Sequence, residues 1–191
     1  MTRFWWVRHG PTHARCMVGW TDLPADLSDT ALIARVSDYL PPDAPVISSD
    51  LARAIATADA IAGPRPRLAP HPDLREINFG AWEMRSFAEV EAEDPDRIRA
   101  YYETPGDIRP PKGESWHQVS ARVSRTVDHL AAAQQAPDII VVAHMGTILS
   151  QVQRALGLTA YDTFARTIDN LSVTCIARDT GWRLEQINHL P

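Results

Sequence analysis

A chain of 191 residues, 45% of them hydrophobic and 23% charged, has the size and balance of one ordinary globular domain with a substantial core. A formal charge of −5 and the lack of any basic run argue against nucleic acid or an anionic membrane surface as a partner. No stretch reaches the ~20 apolar residues of a membrane span.

The first apolar run, FWWV, breaks at Arg8, His9 and Gly10, which reads as a short buried strand with a cation and an imidazole at its carboxyl end. Open α/β sheets bind their ligands at such ends. Taken alone, His9 reads more readily as a strand-end histidine capping a carbonyl. The run is too short for a signal peptide and Arg8 interrupts it, so a cytoplasmic enzyme is the expectation. A polar loop, His13 to Leu27, follows, and then Ser28 as N-cap for DTALIARVSDYL, a helix ended by Pro41, Pro42 and Pro45. Val46-Ile47 begins a second strand, and Ser48-Ser49-Asp50 offers cap chemistry to LARAIATADAIA, which Gly63-Pro64 closes. RPRLAPHP is too rich in proline for more than an edge strand.

From Glu76 to Ser115 the periodicity loosens. Short helical pieces, SFAEVEAE and PDRIRAYYE, precede a turn-rich loop, TPGDIRPPKG, and residues 77–115 read as an insertion forming a partial lid on the ligand side. Trp116, Val119, Val123, Val127 and Leu130 then recur at helical spacing, a core stripe. Pro137-Asp138 opens IIVVA, the clearest buried strand, which ends at His144-Met145-Gly146, with a helix from about Thr147 to Leu156. The strands LSVTCIAR and WRLEQIN, joined at Asp179-Thr180-Gly181, form a terminal hairpin. This alternation predicts an α/β protein, a three-layer α/β/α sandwich whose mixed sheet is mainly parallel with a C-terminal antiparallel hairpin.

In such a sheet the ends of three strands lie along one edge. Arg8 and His9, Arg53 in the helix after Ser48-Ser49-Asp50, and His144 can therefore converge on one tetrahedral dianion, helped by backbone N–H groups where helices start. Other readings of individual residues stand beside this one. His9 and His13 are four apart, as zinc ligands are on a helix, but Gly10 and Pro11 oppose a helical turn there, so no metal is expected. His71, His117, His129 and His189 lack motif context and read as surface or capping residues. Cys16 falls in a loop near His9, where a reactive thiol is one reading. Cys175 reads as a small core residue, and two cysteines make no disulfide framework. Trp20, Trp82, Tyr101 and Tyr102 are either lining of a substrate mouth or packing.

The quoted segments also carry a family resemblance. V-R-H-G-P-T (Val7 to Thr12), S-S-D-L-A-R-A-I-A-T-A (Ser48 to Ala58), L-R-E-I-N-F-G-A-W-E (Leu74 to Glu83), G-E-S (Gly113 to Ser115) and V-V-A-H-M-G (Val141 to Gly146) resemble, in order, the motifs of the histidine phosphatase, or phosphoglycerate mutase-like, superfamily. The resemblance implies a single domain over residues 1–191. It implies His9 as a phosphorylated nucleophile, Arg8, Arg53 and His144 as the phosphate pocket, and Glu76 as proton donor. Thr12, Met145 and Gly146 join the phosphate-binding set, with Glu83 and Glu114 in support. The family commonly has an asparagine shortly after its R-H-G-x-T; here Arg15 stands there, and the loop to Gly19-Trp20 is short. Arg15, Gly19, Trp20 and Trp82 are accordingly expected as substrate-lining residues.

The activity implied is metal- and cofactor-independent hydrolysis of a small-molecule phosphomonoester, in the manner of ribazole phosphatases and broad-specificity phosphatases, with sugar-phosphate and phosphoprotein specialists as further members of the same class. The short chain and clipped first loop favour hydrolysis over a mutase reaction of the phosphoglycerate type. A phosphate-binding module without chemistry is the remaining alternative. A homodimer is compatible with the sequence; substrate and pathway are not written in it.

Overall fold

In the computed structural model, which describes residues 1–133 and 136–191, five strands form one mixed sheet. In chain order the elements are β1 (Thr2–Arg8), α1 (Thr30–Tyr39), β2 (Val46–Ser48), α2 (Ala52–Ala62), α3 (Phe87–Glu93), α4 (Pro95–Glu103), α5 (Trp116–Ala133), β3 (Asp138–Ala143), α6 (Met145–Leu156), α7 (Ala160–Phe164), β4 (Val173–Arg178) and β5 (Trp182–His189). Spatially the strands run β2-β3-β1-β4-β5. The β2–β3 and β3–β1 pairs are parallel, and β1–β4 and β4–β5 are antiparallel. The parallel half is thus balanced by an antiparallel half of equal size, because β4 closes onto β1 as well as onto β5.

Strand β3 shows why the sheet sits between two helical layers. All six of its residues are buried, and alternate side chains point to opposite faces. Ile139, Val141 and Ala143 pack with the Val119, Val123 and Val127 stripe of α5 and with Ile148 and Val152 of α6. Ile140 and Val142 pack with Ile33 and Val36 of α1 and Ala54, Ala58 and Ile61 of α2. Each fully buried Val or Ile contributes about 1.5–3 kcal/mol of transfer free energy. A third, smaller core holds the insertion together: Trp82, Val90, Ile98 and Tyr101 cluster apart from the two faces of the sheet.

Helix starts depart from the sequence expectation in instructive ways. Asp29, not Ser28, caps α1: its carboxylate accepts from Leu32 N, and a charged acceptor suits the positive end of a helix. Asp50 does not cap α2, because Arg75 engages both of its oxygens at 2.7 Å. The Ala52 N–H instead donates to Asp22, thirty positions upstream, so the first loop is tied to the start of α2. Helix α6 begins at Met145, two residues before the expected Thr147, with His144 in the N-cap position. RPRLAPHP contributes only an isolated bridge, Arg67 to Val46. Helix α7, five residues long, is too short to leave a periodic signal.

Candidate active site

The register of the parallel strands builds the site. Arg8 lies opposite Ala143 and Ser48 opposite Val142, so β1, β2 and β3 end at nearly one level. The ladder runs one step further, with His9 N donating to Ala143 O and Ser49 N to Val142 O. His9 and His144 therefore leave adjacent strands side by side, their ring centroids 5.0 Å apart and their planes at 59°. Both are buried.

Two hydrogen bonds define the His9 ring. Nδ1 lies 2.6 Å from the Gly10 carbonyl, an acceptor, so Nδ1 carries the proton. Arg53 Nε donates to His9 Nε2 over 3.3 Å, which requires the lone pair at Nε2. Burial pushes the His9 pKa down to about 3, opposed by the Gly10 carbonyl and reinforced by Arg53 and Arg8. His144 is held well below its ordinary value by burial first, then by His9, Arg53 and the neighbouring arginines. Two neutral imidazoles thus stand among fixed cations.

Arg53 is oriented by the first loop: Nη1 donates to Thr21 O at 2.9 Å and Nη2 to Gly19 O at 2.6 Å, leaving two of its five N–H groups unused. Arg8 Nη1 donates to Ile168 O. Burial lowers the basicity of both arginines, with Glu76 the leading opposing charge. Among the described residues, Arg8 Nε and both ring nitrogens of His144 are buried without a hydrogen-bond partner. Such orphaned groups cost about 1–3 kcal/mol each unless a ligand or water meets them. Arg8 and His9 line an open cup of about 400 Å³ with Thr12, Arg15 and Asn170.

Glu76 sits where the start of α6 meets the insertion. Its Oε1 accepts from Ile77 N at 2.9 Å, and both of its oxygens accept from Gly146 N at 3.1 Å. A β-carbon at Gly146 would stand 2.5 Å from Glu76 Oε1, so this close approach requires glycine. Glu76 also lines an apolar cleft of about 210 Å³ walled by Met145, Tyr101, Tyr102 and Phe164.

The remaining expected lining residues divide. Arg15 is exposed at the cup. Gly19 lies beneath the site, its carbonyl holding Arg53 and its N–H donating to Glu83. Trp20 donates from Nε1 to Glu76 O, and its ring faces the Arg75 guanidinium, so it braces the segment bearing Glu76. Trp82 is not a lining residue: it is buried edge-on against Tyr101 in the insertion core, because the short turn at Gly80–Trp82 directs it inward.

Glu83 accepts from the backbone of Gly19, Trp20, Thr21 and Phe79 and from the Thr21 hydroxyl. Burial alone would raise its pKa, yet these bonds outweigh it and hold the carboxyl low. Glu114 is paired with Arg122 at 2.8 Å and accepts from Asn78 N. His13 meets Asp26 at the surface, His71 caps a turn at Asp73, and the Cys175 thiol is pushed up to about 12 by burial.

Two residues escaped sequence reasoning. Arg122 donates to the carbonyls of Asp73, Arg75 and Glu76, clamping the catalytic-side segment from within α5. Asn170 donates from Nδ2 to His9 O at 2.7 Å and lines the cup. Arg122 lies in a helix whose apolar stripe attracts the attention, and Asn170 in a loop; the only available signal was a buried charge inside an amphipathic pattern.

The sequence profile of the histidine phosphatase superfamily (branch 1) matches residues 4–189. An adenosylcobalamin/alpha-ribazole phosphatase of Salmonella typhimurium is 30% identical over 165 residues, covering 83% of this chain and 81% of that protein. A solved mycobacterial glucosyl-3-phosphoglycerate phosphatase, 25% identical, superposes with a TM-score of 0.85 over 100% of both chains. YhfR of Bacillus stearothermophilus, at 23% identity, shares the fold with a TM-score of 0.90 over 100% of this chain and 98% of its own.

Proposed function

The chain belongs to the histidine phosphatase superfamily, and from that premise we propose that it hydrolyses a small-molecule phosphomonoester through a phosphohistidine at His9. One observation carries the reading: the Nδ1 bond to Gly10 O leaves the lone pair at Nε2, which Arg53 Nε meets at 3.3 Å on a buried ring beside that of His144. That is the nitrogen a nucleophile needs, already in the reactive tautomer and unprotonated across the physiological range.

In the first step Nε2 attacks phosphorus in line, the N–P bond forms as the P–O bond to the alcohol breaks, and Glu76 gives its proton to the departing oxygen. In the second, water attacks the phosphohistidine, its proton passes to Glu76, and the N–P bond breaks to return neutral His9 and free phosphate. Arg8, His144 and the two unused N–H groups of Arg53 are suited to the three non-bridging oxygens, which supports their assignment as the phosphate pocket. Thr12, at the cup, joins the proposed binding set; Met145 and Gly146, expected there too, line the apolar cleft instead, and the Gly146 N–H is taken by Glu76. Asn170 positions His9 through its backbone carbonyl.

The substrates named for the relatives, α-ribazole phosphate and glucosyl-3-phosphoglycerate, are both phosphate esters of small metabolites, which supports a substrate of that class here. Hydrolysis is favoured over a mutase reaction by the open cup and short first loop, because a mutase must shield its phosphoenzyme from water. The test sets 3-phosphoglycerate isomerisation beside phosphate release from a panel of phosphomonoesters. Phosphate release with no isomer formed is expected; isomerisation faster than release overturns the hydrolase reading.

A further inference from the structure

The cleft beside Glu76 differs in chemistry from the cup. Its walls are Ile77 and Phe79 of the insertion, Tyr101 and Tyr102 of α4, Leu149 of α6 and Phe164 of α7. Among the described residues, no lysine, arginine or histidine lines it, and Glu76 is its one carboxylate. The aromatic walls are fixed against one another: Phe164 lies edge-on to Trp116 at 4.7 Å between centroids, and Tyr101 edge-on to Tyr102 at 5.1 Å. Tyr101 has a hydroxyl that is buried without a partner.

Resting on the reading of Glu76 as the group that protonates the leaving oxygen, the geometry points to this cleft as the leaving-alcohol subsite, and to monophosphate esters of uncharged, aromatic or largely apolar alcohols as the substrate class. The carboxylate that must reach the ester oxygen is itself part of the cleft's lining, so the alcohol attached to that oxygen enters the cleft. An alcohol bearing a carboxylate or a second phosphate would be placed in the cleft with no cation among its described lining residues to meet it, and burying such a charge unpaired is strongly unfavourable. An aromatic alcohol instead exchanges water for ring contacts. Specificity therefore comes from the insertion and α7, and phosphate affinity from the strand ends.

The experiment compares kcat/KM for 1-naphthyl phosphate, 3-phosphoglycerate and phosphoserine, with phosphoramidate as a small donor lacking any alcohol. A preference for the naphthyl ester of about a hundredfold over both carboxylated esters is expected from the apolar area removed from water. In Phe164→Ala, the naphthyl kcat/KM should fall about tenfold, mainly through KM, while phosphoramidate turnover stays within about twofold, the size of one lost ring contact. Carboxylated esters turned over as well as the naphthyl ester, with His9 still phosphorylated, overturn the subsite and leave the hydrolase reading intact. Failure of every donor to phosphorylate His9 overturns that reading itself. Equal losses on both donors in folded Phe164→Ala also count against the subsite. If that variant does not fold, Tyr102→Leu carries the same comparison, and the wild-type selectivity decides without any variant.

Discussion

The cup at the strand ends, taken together with the neighbouring His144 and Arg53, and the insertion of residues 77–115, which walls the cleft beside Glu76, are built on different principles. Arg8, His9 and His144 follow directly from β1 and β3, where the parallel register fixes their relative height and the ladder continues into His9 N. Residues 77–115 instead hold together through a small core of their own, Trp82, Val90, Ile98 and Tyr101, and through polar braces such as Glu83 and Arg122. A scaffold that determines atomic positions suits the reacting phosphorus, where misplacement is costly. A semi-independent wall can change its lining without disturbing that geometry, as expected when function is grafted on a fold.

Substitutions in the cup should therefore abolish chemistry, and those in the wall should retune selectivity or stability. The largest effect is expected from His9→Ala: at least about 10⁴-fold in kcat, since the covalent route is lost and only binding and electrostatics remain. Steady-state phosphate release checks it, and a loss below tenfold would erase the distinction between the regions. Arg53→Ala should lower kcat by about 10²–10³-fold, the usual effect of removing one fixed donor from a developing charge. It should also loosen the loop that Arg53 holds at Gly19 and Thr21, visible as faster amide exchange there.

At the junction of the two regions, Gly146→Ala forces a methyl group toward Glu76 Oε1 and should cut kcat about tenfold with the phosphoryl acceptor step intact. Phosphoramidate, whose leaving group differs from an alcohol, should reveal that intact step by rapid labelling of the protein. Deep in the wall, Trp82→Leu should destabilise by about 2–4 kcal/mol, as truncation of a buried aromatic does, while phosphoramidate turnover per folded molecule stays unchanged. Urea unfolding beside active-site titration separates the two quantities.

Acid should reveal the cup through stability. Unfolded His9 takes a proton near its ordinary value of 6.5, and the folded residue only near 3. Between those values the unfolded chain binds more protons, so this contribution is complete above about 6.5 and is lost progressively as pH falls toward 3; His144 acts in the same direction. His9→Gln should flatten the urea midpoint against pH within that window, and an unchanged slope would mean that His9 is not buried neutral.

The cup was largely legible in the sequence because each member ends or follows an apolar run, and parallel pairing converts such ends into neighbours. IIVVA and the α5 stripe marked the core in the same way. The wall was not legible. Whether Trp82 lines a cleft or fills a core depends on which way a short turn points it, and nothing in its neighbours' polarity decides that. Arg122 and Asn170 act on backbone carbonyls, which carry no sequence signature. Asp50 looked like a helix cap but is held by Arg75, a partner that only the tertiary fold supplies.

The central claim concerns where the phosphoryl group rests during turnover. Trapping the enzyme in alkali during hydrolysis, where N–P bonds survive, and mapping the modified peptide by mass spectrometry tests it most directly. The phosphate is expected on His9 and absent from His9→Ala; phosphate on another side chain, or turnover at the wild-type rate with His9 unmodified, would contradict it.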